Sequence, residues 1–112
     1  MDGPSEKDLN RLFSAALQFG KNWMRPVPDL AAERLAHRSQ KERAVMATLI
    51  EKCRSGINAH IEEVHIRLAG AWDKSAARDV DAWIAGKYPW MSRRHRRHAI
   101  RQGQYYAWHD HG

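Results

Sequence analysis

The sequence predicts an all-α fold: a single-domain helical bundle of four to five helices around one long central helix, ending in a basic helix. Three observations carry that expectation. Apolar residues recur at three- and four-residue intervals along almost the whole chain, and no stretch alternates with the period of two of a half-buried strand. Proline and glycine (Pro26, Pro28, Gly70, Gly86) interrupt this periodicity at intervals suited to helix ends. The composition, 43% hydrophobic and 29% charged, is that of a chain with a core. A chain of this size buries roughly 65% of its extended surface, enough for one core without covalent staples.

The first predicted helix covers residues 5–24. Ser5 and Asp8 form a weak capping box at its start. Its apolar stripe is Leu9, Leu12, Phe13, Ala16, Phe19, Gly20 and Trp23, with Arg11, Ser14, Gln18 and Asn22 on the other side. Pro26 and Pro28 end it, because proline lacks an amide donor and restricts the residue before it. A short second helix is expected over 29–37. Ser39 and Glu42, spaced S-x-x-E, then open the third and longest helix, over 40–69, with Gly70 as its stop. Its length would be about 45 Å. Met46, Leu49, Ile50, Cys53, Ile57, Ile61, Val64 and Leu68 form its apolar stripe, and Ser55-Gly56 predicts a bend. The fourth helix is expected over 75–85, with Val80, Trp83 and Ile84 inward and Gly86 as stop. Tyr88-Pro89-Trp90 reads as a rigid aromatic connector, and Ser92 caps a fifth helix over 93–108.

Charge is concentrated at the end of the chain. The net charge is +6, and the last 27 residues hold Lys87, Arg93, Arg94, Arg96, Arg97 and Arg101 against one carboxylate, Asp110. Tyr88, Trp90, Tyr105, Tyr106 and Trp108, half of the aromatics, lie in the same segment. A basic block interleaved with aromatics suits an anionic or π-rich partner. On a helix of 100° per residue, Arg93, Arg97 and Arg101 fall in one row with Arg94 beside it, and Gln104 and Trp108 prolong that side. Ala99, Gly103 and Ala107 occupy the opposite face, flanked by Ile100 and Tyr106, and suit close docking onto other helices. Arg93 and Arg94 also stand in the first turn, where the helix macrodipole disfavours cations by about 0.3–1 kcal/mol each. Arginine faces on small bundles are often only solvated. Tyr88, Trp90 and Tyr106 are accordingly read as packing residues, and Trp108 as the aromatic belonging to the arginine side.

Catalytic and metal chemistry finds little support. With one cysteine there is no Cys-x-x-Cys pair for a zinc finger and no internal disulfide. Glu62 and His65 match the E-x-x-H spacing of di-iron carboxylate bundles, but the periodicity puts both on the polar side of the third helix. His60, with Glu63 a turn on, is expected as a boundary histidine bonded to that carboxylate. His109-Asp110-His111 reads as a frayed end. Cys53 sits in an apolar stripe and behaves as a small hydrophobe. A glycine-rich phosphate loop and a G-x-S-x-G elbow are both absent from the sequence.

The chain therefore reads as a non-catalytic interaction module docking an anionic surface, an acidic protein, through Arg93, Arg94, Arg97, Arg101, Gln104 and Trp108. The first alternative is a nucleic-acid-binding domain using the same helix. The six-residue connector before it is longer than the turn of a helix-turn-helix, which tilts the reading toward protein. The second alternative is a metal-binding or catalytic bundle using His60/Glu63 or Glu62/His65. No cofactor and no membrane insertion are expected, since the helix seam of Ala, Gly and Ala has little area to bury in lipid. MDGPSEKD has neither the basic nor the apolar segment of a secretory signal, and the lone cysteine fits a reducing compartment, so a cytoplasmic location is expected.

Overall fold

The computed structural model describes residues 5–17 and 25–111. The fold is all-α, with five helices in order: α1 (Glu6–Leu17), α2 (Val27–Arg34), α3 (Gln40–Arg67), α4 (Lys74–Lys87) and α5 (Arg93–His111). The expected second half of the first helix, with Phe19, Gly20 and Trp23, lies outside the described residues. The chain divides into two compact units, Met1–Cys53 and Arg54–Gly112, with the boundary inside the long α3.

In the first unit α1 packs on α2. Its buried side chains include Leu12, Phe13, Leu17, Leu30, Leu35, Met46 and Ile50. Local signals set most helix ends. The Ser39 hydroxyl accepts from the Glu42 amide at 3.1 Å, while the Glu42 carboxylate accepts from the Ser39 amide at 3.0 Å, so the capping box closes in both directions. At α1 only half a box forms. The Ser5 hydroxyl accepts from the Asp8 amide at 3.4 Å, but the Asp8 carboxylate turns away to Arg38 Nε at 2.7 Å and His37 Nε2 at 3.2 Å. Asp8 is buried. Burial alone would raise its pKa, yet the hydrogen bonds and charges of Arg38 and His37 outweigh that and hold it below the ordinary carboxylate value.

The prolines act differently from the expectation. Pro26 is the N-cap residue of α2 and Pro28 stands in its first turn, where the missing amide costs no hydrogen bond. They start a helix, which therefore begins at Val27 and ends at Arg34 rather than spanning 29–37.

In the second unit, the buried residues of the far half of α3 are Ile57, Ile61, Val64 and His65, joined by Val80 and Ile84 of α4 and by Ala99, Ile100, Gln102, Gly103 and Ala107 of α5. Along α3 as a whole the predicted stripe holds at Met46, Ile50, Cys53, Ile57, Ile61 and Val64, and Ala47 joins it. Leu49 does not: it is 40% exposed, and its neighbour one turn back, Val45, is 50% exposed.

Two glycine readings need correction, and the third, Gly70 as the stop of α3, holds with Ala69 joining it. The helix runs unbroken through Ser55-Gly56, and a Cβ at Gly56 would stand 2.7 Å from the Tyr88 hydroxyl. Gly56 thus makes room for Tyr88. Gly86 lies inside α4, which continues to Lys87. At the end of α3 the left-handed residues are both Ala69 (φ 52°) and Gly70 (φ 79°). The Gly70 amide reaches back to the His65 carbonyl at 3.0 Å, the six-to-one bond of a Schellman stop. Helix α4 begins at Lys74, one residue earlier than expected, because Asp73 caps it, its carboxylate accepting from the Ala76 amide at 2.7 Å.

Candidate functional site

Helix α5 starts at Arg93 because the Ser92 hydroxyl accepts from the His95 amide at 3.3 Å, and it has no acidic residue in its first turn. Its seam of small residues is buried, and Gly103 is the closest point: a Cβ there would lie 2.5 Å from Ile61 Cδ1 and 3.3 Å from Asn58 Oδ1. Side chains at those positions would hold α5 away from α3. The inward seam fixes the rotation of the helix and so decides which residues meet water.

Arg93, Arg94, Arg97 and Arg101 all lie on the exposed side. Arg96, off this row, is the structural arginine of the segment. Its Nε donates to Asp81 Oδ1 at 2.9 Å and its terminal nitrogen to the Met91 carbonyl at 3.1 Å, tying α4, the connector and α5 together. Arg93, Arg97, Arg101 and Gln104 line a groove of about 470 Å³ between α4 and α5. The other wall, which sequence reasoning missed, brings Lys74, Ala77, Arg78 and Asp81 of α4. Lys74 and Arg78 are exposed, and no ion pair to Lys74, Arg78, Arg93, Arg97 or Arg101 is formed among the described residues. Five cations therefore face this groove against one carboxylate that Arg96 already holds. A signal for the second wall existed in the i, i+4 spacing of Lys74 and Arg78, but nothing local says that this face of α4 meets α5.

Arg94 does not line the groove. It lies near His95 and His98, whose imidazoles burial pushes below their ordinary value, with Arg94 and His98 adding like charge at His95 and Arg101 and Arg94 at His98. Trp108 is 63% exposed and lies beyond the groove lining, as does the exposed Tyr105. The end of α5 is helical through His111 rather than frayed, with His111 Nε2 3.2 Å from Glu62 Oε2.

The histidines read as candidate ligands fall elsewhere. His65 is buried, contrary to its expected place on the polar side, because its Nδ1 accepts the Trp72 indole N–H at 2.9 Å. Glu62, three residues before it, is exposed and bonded to His111, so the E-x-x-H pair does not converge. His60 stacks face to face on Trp83, with ring centres 3.9 Å apart and planes 4° apart, in place of the expected bond to Glu63. Burial lowers its pKa, with Arg67 and Lys87 adding to the shift and Glu63 opposing it. Lys87 Nζ sits 5.0 Å from the Trp83 ring centre, a cation–π contact. Among the described residues, no group of three or more His, Cys, Asp or Glu side chains is placed to hold a metal ion, and no helix is long and apolar enough to cross a membrane. No family model, curated protein or solved structure matches the chain.

Proposed function

We propose that this protein is a non-catalytic helical module that docks an acidic protein surface through the basic face of α5. The observation that carries the reading is the row of Arg93, Arg97 and Arg101, exposed on a helix whose other face is tightly seated. A cation held in place by a packed helix loses less freedom on binding than one on a loop. Unpaired guanidinium groups also suit forked bonds to carboxylates. Arg94 extends the same surface, and Gln104 and Trp108 flank it as polar and aromatic contacts.

The test compares the intact chain with an Arg93/Arg94/Arg97/Arg101→Ala variant against labelled polyglutamate, duplex DNA and single-stranded RNA, each at two ionic strengths. The parent is expected to bind polyglutamate more tightly than either nucleic acid, and the variant to lose that binding. Equal binding of polyglutamate by both proteins refutes the reading. A preference for nucleic acid moves the module to the alternative class of partner. In that case four lost phosphate contacts would flatten the slope of log affinity against log salt by about 3.6.

A further inference from the structure

We propose that the α4–α5 groove is the seat of an acidic amphipathic helix, with Lys74 and Arg78 acting as a second cationic wall opposite Arg93, Arg97 and Arg101. This deepens the docking reading and rests on it. Both walls are helical, and their cations recur every four residues, Lys74 to Arg78 on one side and Arg93 to Arg97 to Arg101 on the other. That interval is about 6 Å along a helix axis. Carboxylates at i, i+4 and i+8 recur at the same interval, so a helix that carries such a row on each edge of an apolar stripe, laid along the groove, offers carboxylates to the cations of both walls.

The apolar part of the lining is Ala77 and Ile100. Ala77 is half-buried, and Ile100 is buried beneath the guanidinium row. An apolar strip edged by charge is the arrangement by which coiled-coil seams choose partners: small apolar side chains fill the strip, and flanking charges set partner and orientation. The groove's one carboxylate, Asp81, is held by Arg96 Nε at 2.9 Å and so opposes an acidic ligand least.

The same geometry argues against nucleic acid in this groove. Single strands are gripped by aromatic platforms beside the cations, and no aromatic residue lines it. A duplex is read by an element that projects into its major groove, whereas these five cations border a concavity. Charge and shape together therefore point to a narrow, acidic, helical occupant.

The experiment uses the full chain and a fluorescein-labelled helical peptide repeating Glu-Ala-Glu-Leu, whose glutamates flank the leucine row on both sides, followed by fluorescence anisotropy. Three proteins are compared, the parent, a Lys74→Glu/Arg78→Glu variant and an Arg93→Glu/Arg97→Glu/Arg101→Glu variant, each checked for unchanged helicity by circular dichroism. Each charge-reversed protein is expected to bind the peptide at least about tenfold more weakly than the parent. A peptide of the same composition broken by a central proline is expected to bind the parent about tenfold more weakly than the helical one. Loss of binding in the α5 variant with none in the α4 variant overturns the groove and leaves the docking reading standing. Unchanged binding in both variants overturns the two together. Equal affinity for the broken peptide, or tighter binding of oligothymidylate than of the helical peptide, overturns the helical occupant.

Discussion

Ala69 holds a left-handed backbone (φ 52°) just past the end of α3, where its Cβ crowds the following carbonyl. An L-residue other than glycine pays about 1–2 kcal/mol in this conformation. Ala69→Gly is therefore expected to raise stability by about 0.5–1 kcal/mol, the gain being trimmed by glycine's freedom in the unfolded chain. A higher urea midpoint with an unchanged slope would show it, and a lower midpoint would contradict the strain. The sequence signals Gly70 as the stop but not Ala69, because alanine has no left-handed preference that a sequence reading could detect. Asp8 teaches the same lesson. Its spacing from Ser5 is readable as a cap, but its Arg38 and His37 partners lie 30 and 29 residues away, and only the packed chain brings them together. His65 is hidden likewise: Trp72, seven residues on, makes its burial tolerable by supplying a donor to Nδ1.

At the scale of elements, most of the architecture is legible. All five helix starts follow from side-chain caps or proline placement, at Ser5, Pro26, Ser39, Asp73 and Ser92, since those signals are local. Among the readings that failed are the two where a glycine was taken as a bend or a stop, Gly56 and Gly86. Gly56 is instead a point of contact for the Tyr88 hydroxyl, as Gly103, expected in the docking seam, is for Ile61. Gly103→Ala drives a methyl into Ile61 Cδ1 at a fully buried position. It is expected to cost about 1–3 kcal/mol through overpacking. Thermal unfolding would measure this, and an unchanged midpoint would mean that α5 seats less closely on α3 than described. The arginine row was readable for the reason that the seam was: both follow from 100° per residue. The α4 wall was not, because sequence periodicity gives each helix a face without saying which helix it meets.

For the whole molecule, acid should act in two stages. Burial, with help from neighbouring cations, holds the imidazoles of His60, His95 and His98 below the ordinary value of 6.5. As pH falls through that value the unfolded chain takes up protons first, so stability begins to fall there and stops falling once the folded imidazoles are also protonated. Asp8 behaves in the opposite charge sense with the same outcome. Its carboxyl lies below the ordinary 3.8, so its contribution is complete above that value and is lost as pH drops through the folded pKa. Urea midpoints measured near pH 8, about 5.5 and about 3 should therefore descend in two steps. An Asp8→Asn variant should keep the first step and weaken the second. A midpoint that stays level down to about pH 5 would contradict the assignment of the histidines.

Cys53 gives the chain a built-in gauge of its own breathing. It is the protein's single thiol, buried in α3 at the last position of the first unit, and burial pushes its pKa up to about 12. The thiolate, rather than the thiol, attacks alkylating reagents and displaces their leaving group, and it is scarce while the helix is closed. The rate at which such a reagent labels the native protein thus reports how often the middle of α3 opens. Comparing that rate with the rate for the unfolded chain converts it to an opening equilibrium, with no probe introduced by mutation.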